Sequence, residues 1–282
     1  MKKDVIRRRA IEPKTTTDLE IDARDSGVQS VDRALSIIET LAEDDEGYRL
    51  SDLAIRTGLS TSTVHRLLGT LEHRRFVQFD RTGSKWHVGA RAFTVGATFA
   101  RRRNFSAQAV PYLRRLRDLT RETANLAVVD DEFIVVLTRM ESREIMRSLT
   151  KVGGRVAMVA SGVGKAVLAT YSDADVSAII RHHGMPRLTE KSIVRPGDLF
   201  KELEKIRRQG FAIDDEEACM GLRCIAAVVY NDCAEPLAAI SVSGMTSRLT
   251  NERLPLLGQT VREVAAELTV ALGGAMPAAK PA

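Results

Sequence analysis

The chain has 282 residues, 44% of them hydrophobic and 28% charged, which suits two well-packed soluble units better than one. No apolar run approaches the roughly 20 residues of a membrane helix, and the basic start MKKDVIRRRAIEPK leads into no apolar signal segment, so a cytoplasmic location without a membrane partner is expected. Cys219, Cys224 and Cys233 form no CxxC pair, which argues against a disulfide framework or a zinc site, and no cofactor is expected.

The net charge of +5 is unevenly spread: residues 47–104 carry eleven Lys/Arg against three Asp/Glu. That local excess is larger than the charge of the whole chain. A cationic surface of this kind fits a phosphate backbone.

In chain order, residues 1–26 lack apolar periodicity and are expected to form a disordered arm. Its Arg7-Arg8-Arg9 reads as a solvated tail or as a phosphate contact. Ser30 is expected to cap a first helix with Val31, Ala34, Leu35, Ile38 and Leu41 inward, ended by the acidic turn at residues 43–47. The stretch LSDLAIRTGLSTSTVHRLLGTLEHRRF at residues 50–76 reads as two helices joined by a tight turn. Ser51 caps the first and Gly58 stops it; Ser60 caps the second. Val64, Leu67, Leu68 and Leu71 share one face of that second helix. Ser62, Arg66, Gly69 and His73 take the opposite face, with Thr63 and His65 at its margins. This is the form of a helix-turn-helix, against the plainer reading of a helical hairpin with a solvated face.

Two short strands at 76–79 and 85–88 follow, joined by Asp80-Arg81-Thr82-Gly83-Ser84 with Gly83 available for a positive φ. Three helices and a hairpin make a winged helix-turn-helix. Arg81 and Lys85 sit at the wing, within reach of phosphates. A helix over 90–100 aligns Phe93, Gly96, Ala97 and Ala100, a stripe suited to packing against another helix in a dimer.

The second domain is expected to open with a helix over 106–122, with Val110, Leu113, Leu116 and Leu119 inward. Strands follow at 125–129, 133–137 and 145–149, and helices at 162–169, after Ser172, and at 199–209 closed by Gly210. Strands return at 211–213, 225–230 and 237–242 before a long helix over 251–272. The fold class is α+β, helices beside a mostly antiparallel sheet. The boundaries expected are an arm at 1–26, a winged helix at 27–89, a linker and dimer-contact helix at 90–104, an effector-binding domain at 105–274 and a tail at 275–282.

Three places could carry chemistry. ASGVGKA at 160–166 puts glycines at a helix start, where free N–H groups favour an anion, although the P-loop spacing is absent. Asp214-Asp215-Glu216-Glu217 reads first as a solvated turn and second as a metal or acid–base site. Ser241 and Ser243 send hydroxyls to one face of a strand end. An enzyme would need Cys224 with His182 or His183 as base, which no spacing supports.

Together VQSVDRAL, GLSTSTVHRLL, WHVGARAFTVG, ASGVGKAVLA and DDEEACMGLRCIAAVVYNDCAEPLAAISVSG resemble the IclR family of transcription regulators, over about residues 28–274. The resemblance implies a dimer or dimer of dimers with an N-terminal winged helix and a C-terminal GAF-like effector domain. It implies that promoter binding responds to a small 2-oxo acid such as glyoxylate or pyruvate. By matching motif, Gly162 and Val163 would offer amides, Asp214 and Cys224 a polar wall, Ser241 and Ser243 hydroxyls, and Ile145, Val156 and Leu222 an apolar wall. Val159, Val163 and Ser148 depart from the pattern.

The carboxylate is expected on the Gly162 and Val163 amides, away from Asp214, which would accept from a hydrated aldehyde. On a pseudo-palindromic promoter, Ser62, Thr63, His65 and Arg66 would meet base edges, with Arg66 on a guanine. The rivals are a regulator answering to another small carboxylate or aromatic acid, a small-molecule enzyme using Cys224, and a non-specific architectural DNA binder.

Overall fold

The computed structural model describes residues 28–102, 105–130, 133–142 and 151–277. The expected arm, the strand at 145–149, and Ile145 and Ser148 within it lie outside the described residues. The chain divides into two compact units between Phe99 and Ala100, inside the helix Ala90–Arg102 rather than at its end.

The N-terminal unit is built from α1 (Gln29–Ala42), α2 (Leu50–Thr57), α3 (Thr61–His73), β1 (Val77–Asp80), β2 (Lys85–Val88) and the start of α4 (Ala90–Arg102). Gly58 ends α2 in the left-handed region at φ 67°, and the Ser60 hydroxyl accepts the Thr63 amide at the start of α3. Val64 and Leu68 are fully buried with Ile37, Leu41, Leu53, Val77 and Trp86, and Leu67 and Leu71 pack against that cluster. Both strands pair antiparallel, Asp80 opposite Lys85, and Tyr48 adds a short third strand through mutual backbone hydrogen bonds with Trp86.

Three local expectations are corrected. Helix α1 starts from Val28 without a side-chain cap, and α2 starts from Arg49, so Ser30 and Ser51 sit in first turns. The inward face of α1 is Ile37, Thr40 and Leu41, while Val31 and Leu35 are exposed. The helix carries two apolar stripes, and its neighbours bury the one nearer its C-terminus. In the wing, Ser84 takes the positive φ of 51°; Gly83 instead leaves room for the Asp80 carboxylate, which accepts the Thr82 and Gly83 amides at 2.9 Å each. On α4, Phe93 and Val95 lie on the surface of the unit.

The C-terminal unit is a six-stranded antiparallel sheet in the order β5-β4-β3-β8-β7-β6. Its strands are β3 (Thr123–Asp130), β4 (Phe133–Met140), β5 (Arg155–Ala157), β6 (Ala212–Asp215), β7 (Leu222–Tyr230) and β8 (Pro236–Met245). Successive residues of a strand face opposite sides, and the sheet uses both. Leu126 and Val128, Ile225 and Val229, and Ile240 and Val242 pack with α5 (Phe105–Thr120) and α9 (Leu254–Ala271). Ala127, Ala226, Val228 and Ala239 pack with α6 (Gly162–Leu168), α7 (Asp173–His183) and α8 (Pro196–Gln209).

Helix α5 turns Phe105, Ala109, Leu113 and Leu116 inward, and Leu119 is exposed. The expected face is thus rotated, because residues spaced uniformly by three drift around the helix and leave the strip that the sheet covers. Caps at Ser172 and Gly210 hold as read.

Gly164 on α6 lies so close to the Met158 backbone that a Cβ would overlap it, whereas Gly69 on α3 has nothing within 4 Å of an added Cβ. Gly164→Ala should therefore lower the stability of the C-terminal unit by about 1–3 kcal/mol. Gly69→Ala should raise that of the N-terminal unit by about 0.5–1 kcal/mol. Chemical denaturation of the two variants checks both signs.

Candidate DNA interface and ligand cavity

The outer face of α3 presents Ser62, His65, Arg66 and His73 to solvent. The hydroxyls of Ser62 and Thr63 lie 3.1 and 2.8 Å from that of Ser60, so the cap fixes their direction. Beside α3 runs an open groove of about 870 Å³ lined by Arg49, Ser51, His65, Gly69, Phe79 and Arg81, among others. It brings two expected residues, His65 and Arg81, to one concavity. Arg49, missed in the sequence, joins them at the start of α2, where unsatisfied amides favour an anion. Arg66 and Lys85 do not line the groove. Lys85 stands 3.9 Å from Glu46, an exposed pairing that a phosphate can displace at little cost.

In the C-terminal unit, a cavity of about 100 Å³ opens between the sheet and α6. Eight of the nine expected effector residues line it: Gly162, Val163, Asp214, Cys224, Ser241, Ser243, Val156 and Leu222. The ninth, Ile145, lies outside the described residues. Strand register explains the gathering. Ser243 lies opposite Cys224, and Cys224 opposite Asp214, on three adjacent strands. Alternation then turns Ser241 and Ser243 to the face that Ile240 and Val242 avoid.

Little room surrounds Gly162. A Cβ there would come within 3.1 Å of the Cys224 carbonyl and 3.5 Å of the Asp214 side chain. The start of α6 thus packs against the Asp214 side chain at its Cβ, while the carboxylate itself accepts the Glu217 and Ala218 amides. The Ser161 hydroxyl takes the Gly164 amide at 3.0 Å, leaving the first two amides of α6 without intrahelical acceptors.

The carboxylates at 214–217 are not a solvated turn. Asp214 and Glu217 are each only 6% exposed, and the Asp214 carboxylate accepts the Glu217 amide at 2.7 Å. Glu217 pairs with Lys165, whose ammonium is fully buried and also donates to the Ile213 carbonyl at 2.7 Å. The second carboxylate oxygen of Glu217 has no hydrogen-bond partner among the described residues. Asp215 takes Arg223 at 2.5 Å, and Glu216 takes Lys191. The Ser192 hydroxyl donates to the Glu217 carbonyl at 2.8 Å, strapping the preceding loop onto this turn.

Burial, reinforced by the Glu217 charge, pushes the Asp214 carboxyl up from 3.8 to about 6, against the Glu217 amide and Lys165, which lower it. Burial and Asp214 push the Cys224 thiol up to about 11. It is therefore a poor nucleophile at neutral pH. His182 and His183 lie in contact at the end of α7, ring centroids 4.7 Å apart and planes tilted by 45°, and neither lines the cavity. Sequence reasoning missed Asn125, Arg139 and Ser161 in the lining. Asn125 and Arg139 face each other on β3 and β4.

An acid with a raised native pKa holds its proton more tightly folded than unfolded. The stability that Asp214 contributes is therefore fully present below pH 3.8 and is lost as pH rises through about 6. Asp214→Asn should remove that decline, gaining about 1–3 kcal/mol on wild type between pH 4 and pH 7. Urea unfolding across that range checks it; parallel pH profiles would contradict it.

The arrangement matches known proteins in both units. The family model for the IclR helix-turn-helix domain matches residues 30–81, and that for the bacterial transcriptional regulator IclR C-terminal domain matches residues 97–270. The acetate operon repressor of Salmonella typhimurium is 39% identical over 249 residues, covering 88% of this chain and 91% of the relative. The HTH-type transcriptional regulator BhcR of Paracoccus denitrificans is 39% identical over 250 residues, covering 88% and 89%. A crystal structure of an IclR homolog from Microbacterium hydrocarbonoxydans, complexed with 4-hydroxybenzoate, shares the fold at a TM-score of 0.72 and 23% identity, covering 86% of this chain and 99% of its own. These relatives are regulators, not enzymes. The chain belongs to the IclR family of bacterial DNA-binding transcriptional regulators.

Proposed function

We propose that this regulator is cytoplasmic and acts as a homodimer or dimer of dimers on a pseudo-palindromic promoter site. A short 2-oxo acid, glyoxylate or pyruvate, modulates its grip. The observation that carries the effector reading is the cavity on the sheet. Its floor is a run of hydroxyl, thiol and carboxyl groups, Ser241, Ser243, Cys224 and Asp214, walled by Val156, Val163 and Leu222. A cavity of about 100 Å³ exceeds the roughly 10–15 Å³ that one water needs and suits a ligand of few heavy atoms. The polar floor favours a short, highly polar acid, whereas the Microbacterium homolog was crystallised with the aromatic 4-hydroxybenzoate. The ionised Asp214 accepts hydrogen bonds only; it suits the hydroxyls of a hydrated aldehyde, which glyoxylate forms readily.

For DNA, α3 enters the major groove with Arg66 on a guanine and Ser62, Thr63 and His65 beside it. Arg49, Arg81 and Lys85 hold phosphates. The segment between the two units, within α4, is the covalent route by which a ligand bound to one biases the other. That bias requires different ligand affinities in DNA-competent and incompetent arrangements.

Footprinting on the promoter upstream of the protein's own coding sequence, with and without glyoxylate, should show a protected two-fold site whose occupancy changes with the acid. Arg66→Ala should cost about 1–3 kcal/mol of promoter affinity, and Lys85→Ala should reduce the salt slope by about one. Unaltered mobility-shift affinity for Arg66→Ala would refute the groove assignment. Asp214→Ala should weaken glyoxylate binding more than pyruvate binding in calorimetry; equal losses would refute the hydrate contact.

A further inference from the structure

We propose that Asn125 sets the hydrogen-bond polarity of the cavity floor, an inference that deepens the effector reading and rests on it. Asn125 turns the Ser241 and Ser243 hydroxyls into donors, and these select a bare carbonyl oxygen over a hydroxyl. Asn125 sits on β3 between two partners, opposite Arg139 on β4 and opposite Ser241 on β8. It is 6% exposed and lines the cavity together with Arg139, Ser241 and Ser243. The Arg139 Nε donates to the Asn125 side-chain oxygen at 3.0 Å. The Asn125 amide nitrogen reaches the Ser241 and Ser243 hydroxyls at 3.4 Å each.

The chemistry of these partners leaves one arrangement. A guanidinium Nε has a hydrogen and no lone pair. The Asn125 atom facing it is therefore the oxygen, and the flipped amide is excluded. The amide hydrogens then serve the two serines. Each serine oxygen accepts, so its own single hydrogen goes elsewhere. Cys224 lies opposite Ser243, and hydrogen bonds from both serines lower its thiol against the rise that burial causes. Sulfur is a weak acceptor, and a ligand oxygen displaces it.

A ketone oxygen takes the serine hydrogens and has no hydrogen of its own to place. A hydroxyl in the same position also accepts, but its hydrogen meets only the Cys224 sulfur, because Asp214 is out of reach. Ser243, Cys224 and Asp214 lie on the successive strands β8, β7 and β6. Two strand spacings put Ser243 and Asp214 roughly 9–10 Å apart at the backbone. One oxygen with two hydrogen bonds spans only about 5.6 Å. A hydrated aldehyde has a pair of oxygens and covers more of that row, so glyoxylate can use the serines and Asp214 together.

Calorimetry on the full-length protein with pyruvate and with each enantiomer of lactate tests the assignment. All carry the same carboxylate, so its contribution cancels in the ratio of affinities. The wild type should favour pyruvate by about five- to a hundred-fold, the range for one polar group left unpaired. Asn125→Asp keeps the shape but only accepts. The serines then donate to it and turn lone pairs to the cavity, so the ratio should fall to one or below, while the new charge acts equally on all three anions. Asn125→Leu, which removes the amide without imposing the opposite polarity, should bring the ratio close to one; it decides the matter should Asn125→Asp bind no ligand. A second readout needs no effector: the infrared S–H band of Cys224, assigned by its loss in Cys224→Ala, should shift in Asn125→Asp as the serine hydrogens leave the sulfur. A wild type without preference for pyruvate, an unchanged ratio in the variants, or an unmoved S–H band overturns the role of Asn125 and leaves the cavity reading standing. A wild type that binds neither pyruvate nor glyoxylate overturns the effector reading and this inference with it.

Discussion

The pleat of β3, β8 and β7 is the constraint on which the C-terminal unit depends. These central strands are covered on both faces, and each residue they contribute must serve one side or the other. On one side, Leu126, Ile225, Ile240 and Val242 close a dry core with α5 and α9. On the other, the neighbours of those residues, Asn125, Cys224, Ser241 and Ser243, line the cavity that α6 leaves above them. One sequence period thus builds the stabilising layer and the cavity lining together. A register slip of one residue would exchange them.

The acidic turn after β6 closes that cavity, and its electrostatics explain why the turn holds its shape. Asp215, Glu216 and Glu217 have Arg223, Lys191 and Lys165 as partners. Arg223 and Lys165 are drawn from the neighbouring strand and from the helix that roofs the cavity. Buried ion pairs add little net stability over apolar packing, but losing one partner strands the other at high cost. The network therefore fixes geometry more than it adds stability. Asp214 has no ion-pair partner among the described residues, and burial, reinforced by the Glu217 charge, pushes its carboxyl up to about 6.

Much of this was legible in the residues. The Gly58 stop, the Ser60 cap and the Val64/Leu68 spacing place the recognition helix by local rules alone, and those rules hold in the structure. The described expected cavity residues other than Val156 fall within two conspicuous motifs, ASGVGK and the long block from Asp214 to Gly244. Arg139 and Asn125 were not legible. They are single polar residues in apolar strands, and a break in the register of β3 and β4, where Leu126 lies opposite Thr138 but Ala127 opposite Val136, puts Arg139 in the cavity lining against a period-two reading. Lys165 was hidden for a similar reason: a lysine in a helix reads as solvated until a buried carboxylate is found beside it. The inward faces of α1 and α5 were misjudged because both helices carry more apolar residues than their neighbours cover.

A receptor cavity and a cationic reading head in one chain amount to a regulator only if their ligands are thermodynamically linked, and linkage is reciprocal. The most direct test is the promoter dissociation constant of the full-length protein, measured by fluorescence anisotropy at fixed salt with and without saturating glyoxylate or pyruvate. A shift of about 5- to 150-fold, the usual span of allosteric coupling, is the predicted result. An identical dissociation constant in both conditions, with the acid shown by calorimetry to be bound, would contradict it.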